Sequence, residues 1–254
     1  MRKNSSKKNS KVYNRPKITE TVSIIAHQLK SPLSAIKGYL EALISGECGK
    51  INSFQREYLS DSLENVKRMK RNIDDLLVVK RIEEGKFKII AKPISLGEIT
   101  FNVLKDFSLW AQALNCKLLF KRPKKLPQVL SEPQVIRGVV ENLISNAIKY
   151  TRGRGRVEVS IFPKDKMLIF SCQDNGIGIP EEDFDKVFTK FYRAEKAVEI
   201  DPSGTGLGLY INKIVLESSR GKIWFSKNKR SGMTFYFSLP IKKTKSCSPK
   251  NKKF

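Results

Sequence analysis

Histidine is almost absent from this chain, with His27 alone among 254 residues. Acids are scarce as well: 25 Asp and Glu face 49 Lys and Arg, for a formal net charge of +24. In the tails they are missing altogether. Residues 1–17 hold Arg2, Lys3, Lys7, Lys8, Lys11, Arg15 and Lys17, and residues 242–254 hold Lys242, Lys243, Lys245, Lys250, Lys252 and Lys253, so thirteen of the surplus charges lie in two short stretches. Tails of this kind touch anionic surfaces weakly and without sequence preference, so the charge does not mark a dedicated nucleic-acid reader. No run of about 18 apolar residues occurs, which excludes the usual pattern of a membrane-spanning helix, and residues 1–17 lack the apolar stretch of a signal peptide. The four cysteines, Cys48, Cys116, Cys172 and Cys247, form no C-x-x-C pair. That spacing fits reduced thiols in a cytoplasm better than a disulfide frame or a zinc site. The expectation is a soluble, cytoplasmic protein with no integral membrane segment.

What is present suffices for a packed core, since hydrophobic residues make up 40% of the chain, and the length suits two modest domains. From Ile18 the apolar positions Val22, Ile25, Leu29, Leu33, Ile36, Leu40 and Leu43 follow in steps of three and four, a helical seam of coiled-coil type. Pro32 lies inside it and favours a bend, because its ring removes one intrahelical hydrogen bond. Gly46 and Gly49 end the helix. A second pattern, Leu59, Leu63, Val66, Ile73 and Leu76, predicts a partner helix closing near Gly85. Two helices cannot bury both seams, so a second copy completing a four-helix bundle is expected.

Beyond Pro93 the pattern becomes mixed. A helix is predicted over Leu96 to Leu114, then a basic strand and loop, and a helix from Pro133 to about Tyr150. Two alternating strands follow, Val157-Val159-Ile161 and Leu168-Phe170. A glycine-studded stretch leads into a helix over Leu207 to Ser218, and a hairpin of Ile223-Trp224-Phe225 and Phe235-Tyr236-Phe237 turns at residues 227–232. Helices and an antiparallel-rich sheet in separate blocks imply an α+β sandwich.

Three segments carry residue types suited to chemistry. His27 falls beside the seam, with Ser23, Lys30, Ser31 and Ser34 as helical neighbours, and is expected to face solvent. Asn142, Asn146, Lys149 and Tyr150 recur at i, i+4, i+7 and i+8, one polar stripe on an otherwise apolar helix. Amide oxygens there suit Mg²⁺ and the lysine suits phosphate. Gly204-Thr205-Gly206-Leu207-Gly208 opens a helix, turning backbone N–H groups towards an anion. Its spacing is neither G-x-G-x-x-G nor G-x-x-x-x-G-K-[ST], so neither a dinucleotide site nor a P-loop is supported.

The segment His27-Gln28-Leu29-Lys30-Ser31-Pro32-Leu33 resembles the H-box of histidine protein kinases, and four further strings resemble that family's remaining boxes in order. The run from Glu141 to Thr151 is similar to the N-box. Asp174-Asn175-Gly176-Ile177-Gly178 looks like the G1 box, Phe188-Thr189-Lys190-Phe191-Tyr192-Arg193 the F-box, and Gly204 to Leu209 the G2 box. The resemblance spans residues 18–241. It implies a dimerising phosphoacceptor hairpin at 18–86 and an ATP-binding α+β domain at 93–241, between basic tails at 1–17 and 242–254. By the same resemblance His27 accepts the γ-phosphate of ATP and passes it to an aspartate of a response regulator's receiver domain. Asn146 would be the principal Mg²⁺ ligand and Asn142 its helper. Asp174 would accept the adenine amino group while Gly176 and Gly178 let the backbone close around the base. Two aromatics of the F-box would anchor a lid, with Lys190 and Arg193 near the phosphates.

The chain departs from the family where an acid is expected after the histidine. Gln28 can orient the ring but stabilises imidazolium charge less well, so slower phosphotransfer is expected. Gln28 and Ser31 also occupy the positions tied to phosphatase action in the family, which leaves a kinase-poor phosphatase or scaffold as the nearest rival. A nucleotide-switched module of the same ATPase superfamily and a basic nucleic-acid binder are the others. With only 17 residues, seven of them basic, ahead of the hairpin in this sequence, the stimulus is expected to arrive through a partner or the tails.

Overall fold

The computed structural model describes residues 18–151 and 154–242; for residues 18–25 and for His27 it describes the backbone alone. The tail residues 1–17 and 243–254, and with them the expected anionic contacts, lie outside the described residues. The chain divides into two compact units between Glu83 and Glu84.

The first unit is a helical hairpin of α1 (Ile18–Ser45) and α2 (Ser53–Glu83). The helix α1 runs through Pro32. It ends where Gly46 and Gly49 take φ of +89° and +107°, a region that costs other residues strain. A reciprocal cap opens α2: Asn52 Oδ1 accepts from Gln55 N at 2.8 Å, and Gln55 Oε1 accepts from Asn52 N at 2.9 Å. Ala26, Leu33, Val66 and Ile73 form the buried centre, with Leu40 and Leu77 against it. Each of the Leu, Val and Ile side chains taken from water contributes about 1.5–3 kcal/mol. Lys30 and Asp74 pair across the two helices at 2.6 Å.

The second unit is a sheet covered on one face by helices. Its elements are β1 (Lys92–Ile94), α3 (Leu96–Asp106), α4 (Ser108–Ala113), β2 (Cys116–Lys121), β3 (Val129–Ser131), α5 (Pro133–Tyr150), β4 (Gly155–Lys164) and β5 (Met167–Asp174). A 3₁₀ turn (Glu181–Lys186), α6 (Glu195–Ile200), α7 (Gly208–Ser218), β6 (Lys222–Lys227) and β7 (Met233–Pro240) complete it. The main sheet has the order β2-β4-β5-β7-β6, with β2 and β4 parallel and the other pairs antiparallel. Period-2 burial in β4 sends Val157, Val159 and Ile161 inward to meet Val139, Val140, Leu143 and Ile144 of α5. Phe170 and Phe237, both fully buried, stack at 4.6 Å in this layer.

Three expectations change. The helix predicted over Leu96 to Leu114 is two helices. Phe107 at φ −85°, ψ −3° interrupts it, and the Ser108 hydroxyl satisfies the carbonyl of Lys105 at 2.7 Å. The last helix begins at Gly208, one residue later than read. A two-stranded ribbon of β1 and β3 was not foreseen: three-residue strands show no period, and this pair joins residues 35 or more positions apart.

Candidate functional site

His27, Gln28 and Ser31 belong to the hairpin unit, where Gln28 and Ser31 are exposed on α1. The expectation that His27 faces solvent concerns a side chain outside the described residues. All other predicted site residues belong to the second unit.

There the stripe on α5 is half-buried, while Leu143, Ile144, Ala147 and Ile148 beside it are buried. Asn146 Nδ2 donates to Asn142 Oδ1 at 3.2 Å, a bond that engages the nitrogen of Asn146 and not its carbonyl oxygen. Asn142 Nδ2 is buried without a partner, and an orphaned amide of this kind costs about 1–3 kcal/mol unless something binds it. Facing it is Gly208, where an added Cβ would stand 2.7 Å from the Asn142 amide. The N-terminus of α7 carries no side-chain cap, so its first N–H groups stay open to an anion.

The base of the site is Asp174, at the end of β5. Its Oδ1 accepts from Gly176 N at 2.8 Å and from Met233 N at 3.2 Å, so Oδ2 is the oxygen left for a ligand. Burial pushes its pKa above the usual 3.8, and the two N–H donors pull in the opposite direction. The loop that follows sits on the end of α5: Ile177 N donates to Tyr150 O at 3.1 Å, and a Cβ on Gly176 would collide with that same carbonyl. Gly178 takes φ +72°, a region that favours glycine.

The third side is the segment between the 3₁₀ turn and α7. Phe184 and Phe188 pack on Phe225 at 5.1 and 5.7 Å, whereas Phe191 is 62% exposed at φ +61°. Of the F-box aromatics, Phe188 packs on Phe225 and Tyr192 is half-buried, while Phe191 is exposed and Gly206 lies close against its main chain. The cations here are engaged. Lys149 Nζ lies 2.7 Å from Asp201 Oδ2, and Arg193 donates to the carbonyls of Ala197, Asp201, Pro202 and Gly204. Lys190 stands over the Tyr210 ring at 5.2 Å. Although burial acts to raise it, Lys149 and Ser203 hold the carboxyl of Asp201 at about 2. Thr205 Oγ1 accepts from Leu207 N at 3.3 Å, fixing the glycine turn, and Leu207 is fully buried.

The arrangement therefore brings together Asn142, Asn146, Lys149, Tyr150, Gly176, Gly204 and Gly208, with Asp174 at one end. Sequence reading missed Asp201 and the tip of the β6–β7 hairpin. Asp201 carries no motif, and the hairpin tip lies more than 50 residues from Asp174.

Family models match both units: "His Kinase A (phospho-acceptor) domain" over residues 17–85, and "Histidine kinase-, DNA gyrase B-, and HSP90-like ATPase" over residues 131–243. The sensor protein kinase WalK of Staphylococcus aureus is 32% identical over 223 residues, covering 87% of this chain and 53% of that protein. The chain belongs to the histidine kinase family. It spans about half the length, or less, of the curated relatives it matches, down to 36% of the WalK of strain JH9. Among solved histidine kinases, full-length ShkA in complex with AMPPNP shares the fold with a TM-score of 0.70 at 21% identity, covering 89% of this chain and 46% of that one. The catalytic domain of ThkA aligns with a TM-score of 0.53 at 26% identity, over 59% of this chain and 95% of its own. As in other histidine kinases, the ATPase-like unit follows the helical one. No helix among the described residues is long and apolar enough to cross a membrane.

Proposed function

We propose that this kinase binds ATP in the second unit and moves its γ-phosphoryl group onto His27, from which it passes to an aspartate of a response regulator. The observation that carries this reading is the convergence of a buried, half-satisfied carboxylate, an orphaned asparagine amide and an uncapped helix N-terminus around the polar stripe of α5, which is proposed as the nucleotide cleft. Asp174 Oδ2 would receive the adenine amino group; the N–H groups opening α7 would face the phosphates. AMPPNP, an ATP analogue, occupies the ShkA structure.

Mg²⁺ fits the same cleft. No cluster of three or more His, Cys, Asp or Glu able to hold a metal exists among the described residues, and Mg²⁺ is commonly held by few protein oxygens together with substrate phosphates. Asn146 would supply the oxygen and Asn142 would brace it; when bound, the ion offsets charge on the phosphates. In the transfer the imidazole Nε2 attacks phosphorus, the P–N bond forms as the bond to the bridging oxygen breaks, and ADP leaves with that electron pair. Gln28 orients the ring through an uncharged amide, so turnover is slow.

The proposed functional boundaries are 18–86 for the acceptor hairpin and 93–241 for the ATP-binding domain. The proposed homodimer rests on the seam of α1, where Leu29 and Ile36 are each 45% exposed in a single chain. Such positions are normally covered in a four-helix bundle. The test is incubation with γ-labelled ATP and Mg²⁺. Acid-labile label on the wild type, abolished in His27→Ala and lowered about 10–100-fold in Asn146→Ala, is expected. Absence of label on a wild type that binds ATP would overturn the kinase reading.

A further inference from the structure

The β6–β7 hairpin closes on Asp174 through more than its backbone. Asn228, at the first position of the turn, donates from Nδ2 to the carbonyl oxygen of Asp174 at 2.7 Å. Its Oδ1 accepts from the buried Thr234 hydroxyl at 2.6 Å, and its backbone N–H reaches Gly232 O at 3.1 Å. Gly232, at φ +79°, lies so close that a Cβ there would strike both the carbonyl and Oδ1 of Asp174. Met233 N then donates to Oδ1, and the Ser231 hydroxyl to Asn175 O at 3.3 Å. One half-buried amide thus joins the turn, the neighbouring strand and the main chain of the base-binding residue.

We propose that Asn228 is a positioning residue for base selection, holding the hairpin tip so that Asp174 presents Oδ2 as an ionised acceptor. This rests on the ATP reading above. An ionised carboxylate accepts from the exocyclic amino group of adenine and repels the carbonyl that guanine carries at the same place. The hydrogen bond from Met233 N favours the ionised form, whereas burial favours the neutral one, which can donate to a carbonyl. Freed from Asn228, the tip moves away, the donor on Oδ1 is lost, and discrimination between the two bases weakens.

The experiment measures ATP and GTP affinities of the full chain by calorimetry for wild type, Asn228→Ala and Asn228→Asp. The aspartate variant keeps an acceptor for Thr234 and loses the donor to Asp174, so it separates anchoring of the turn from positioning of the base. Both variants are expected to lower the ATP:GTP preference about 5–10-fold, the scale of one hydrogen bond. KM for ATP should rise and kcat at saturation should hold. Restoration of wild-type preference by Asn228→Asp, or no change in Asn228→Ala, overturns the proposal. Should Asn228→Ala fail to fold, Asn228→Asp alone decides. A wild type that binds neither nucleotide would instead sink the ATP reading.

Discussion

The two ends of the nucleotide cleft are built in opposite ways. At the end proposed to receive the base, Asp174 is held by two backbone donors, by Asn228 and by the close approach of Gly176 and Gly232. At the phosphate end Lys149 and Arg193 are spent on the protein itself, one on a carboxylate and the other on four carbonyls. The difference separates selection from release. On the proposed ATP reading, a rigid acceptor would choose the base at little cost in ordering, whereas cations that must exchange partners would let the segment over the phosphates change place as they arrive and leave.

The contrast is broken most severely at its rigid end. Asp174→Ala should weaken ATP binding about 100-fold, the loss of a hydrogen bond to a charged acceptor in a buried site, as measured by calorimetry. At the other end the sign reverses. Asp201→Asn frees Lys149 from a pair in which the two side chains are 33% and 15% exposed. Affinity should rise about fivefold, in line with a partly exposed ion pair of about 1 kcal/mol; a fall would show that Asp201 positions Lys149 for phosphate instead of competing with it.

The smallest effect is in pH. Asp174 has its pKa above 3.8, so it takes up a proton at a pH where an ordinary carboxylate stays ionised. Asp201, held at about 2, does not. The affinity advantage of wild type over the non-titrating Asp174→Asn should therefore shrink as the solution is acidified towards 3.8, while the Lys149 pair persists. The stability signs are opposite. Protonation of Asp174 favours the fold as pH falls through its raised pKa. The contribution of Asp201 is complete above 3.8 and is lost as pH falls from there to about 2.

Local pattern carried much of this architecture. The seam residues Leu33, Val66 and Ile73 are the buried centre of the hairpin, and the N-box stripe lies where period 3.6 puts it. The glycine strings also announced themselves, because backbone that must take positive φ or approach another chain segment leaves a composition signal. What stayed hidden was long-range. Asn228 is an ordinary turn residue until the hairpin folds back on a strand 54 residues earlier, and β1 and β3 have no meaning apart from each other. Helix α6 is six residues long, below what periodicity resolves. The F-box resemblance does not say which of its aromatics anchor, and the exposure of Phe191 at positive φ is legible only in the structure.

The short strand β3 has a topological consequence. Val129 is paired to Ile94 on one side and bridged to Ile241 on the other, and Lys242 N donates to Gln128 O at 2.8 Å. The first strand of the unit and its last paired residue are thus one strand apart, about 10 Å at ordinary sheet spacing. A linker of a few residues would bridge them. The nearness of β1 to Ile241 is the geometry that circular permutation of the unit needs.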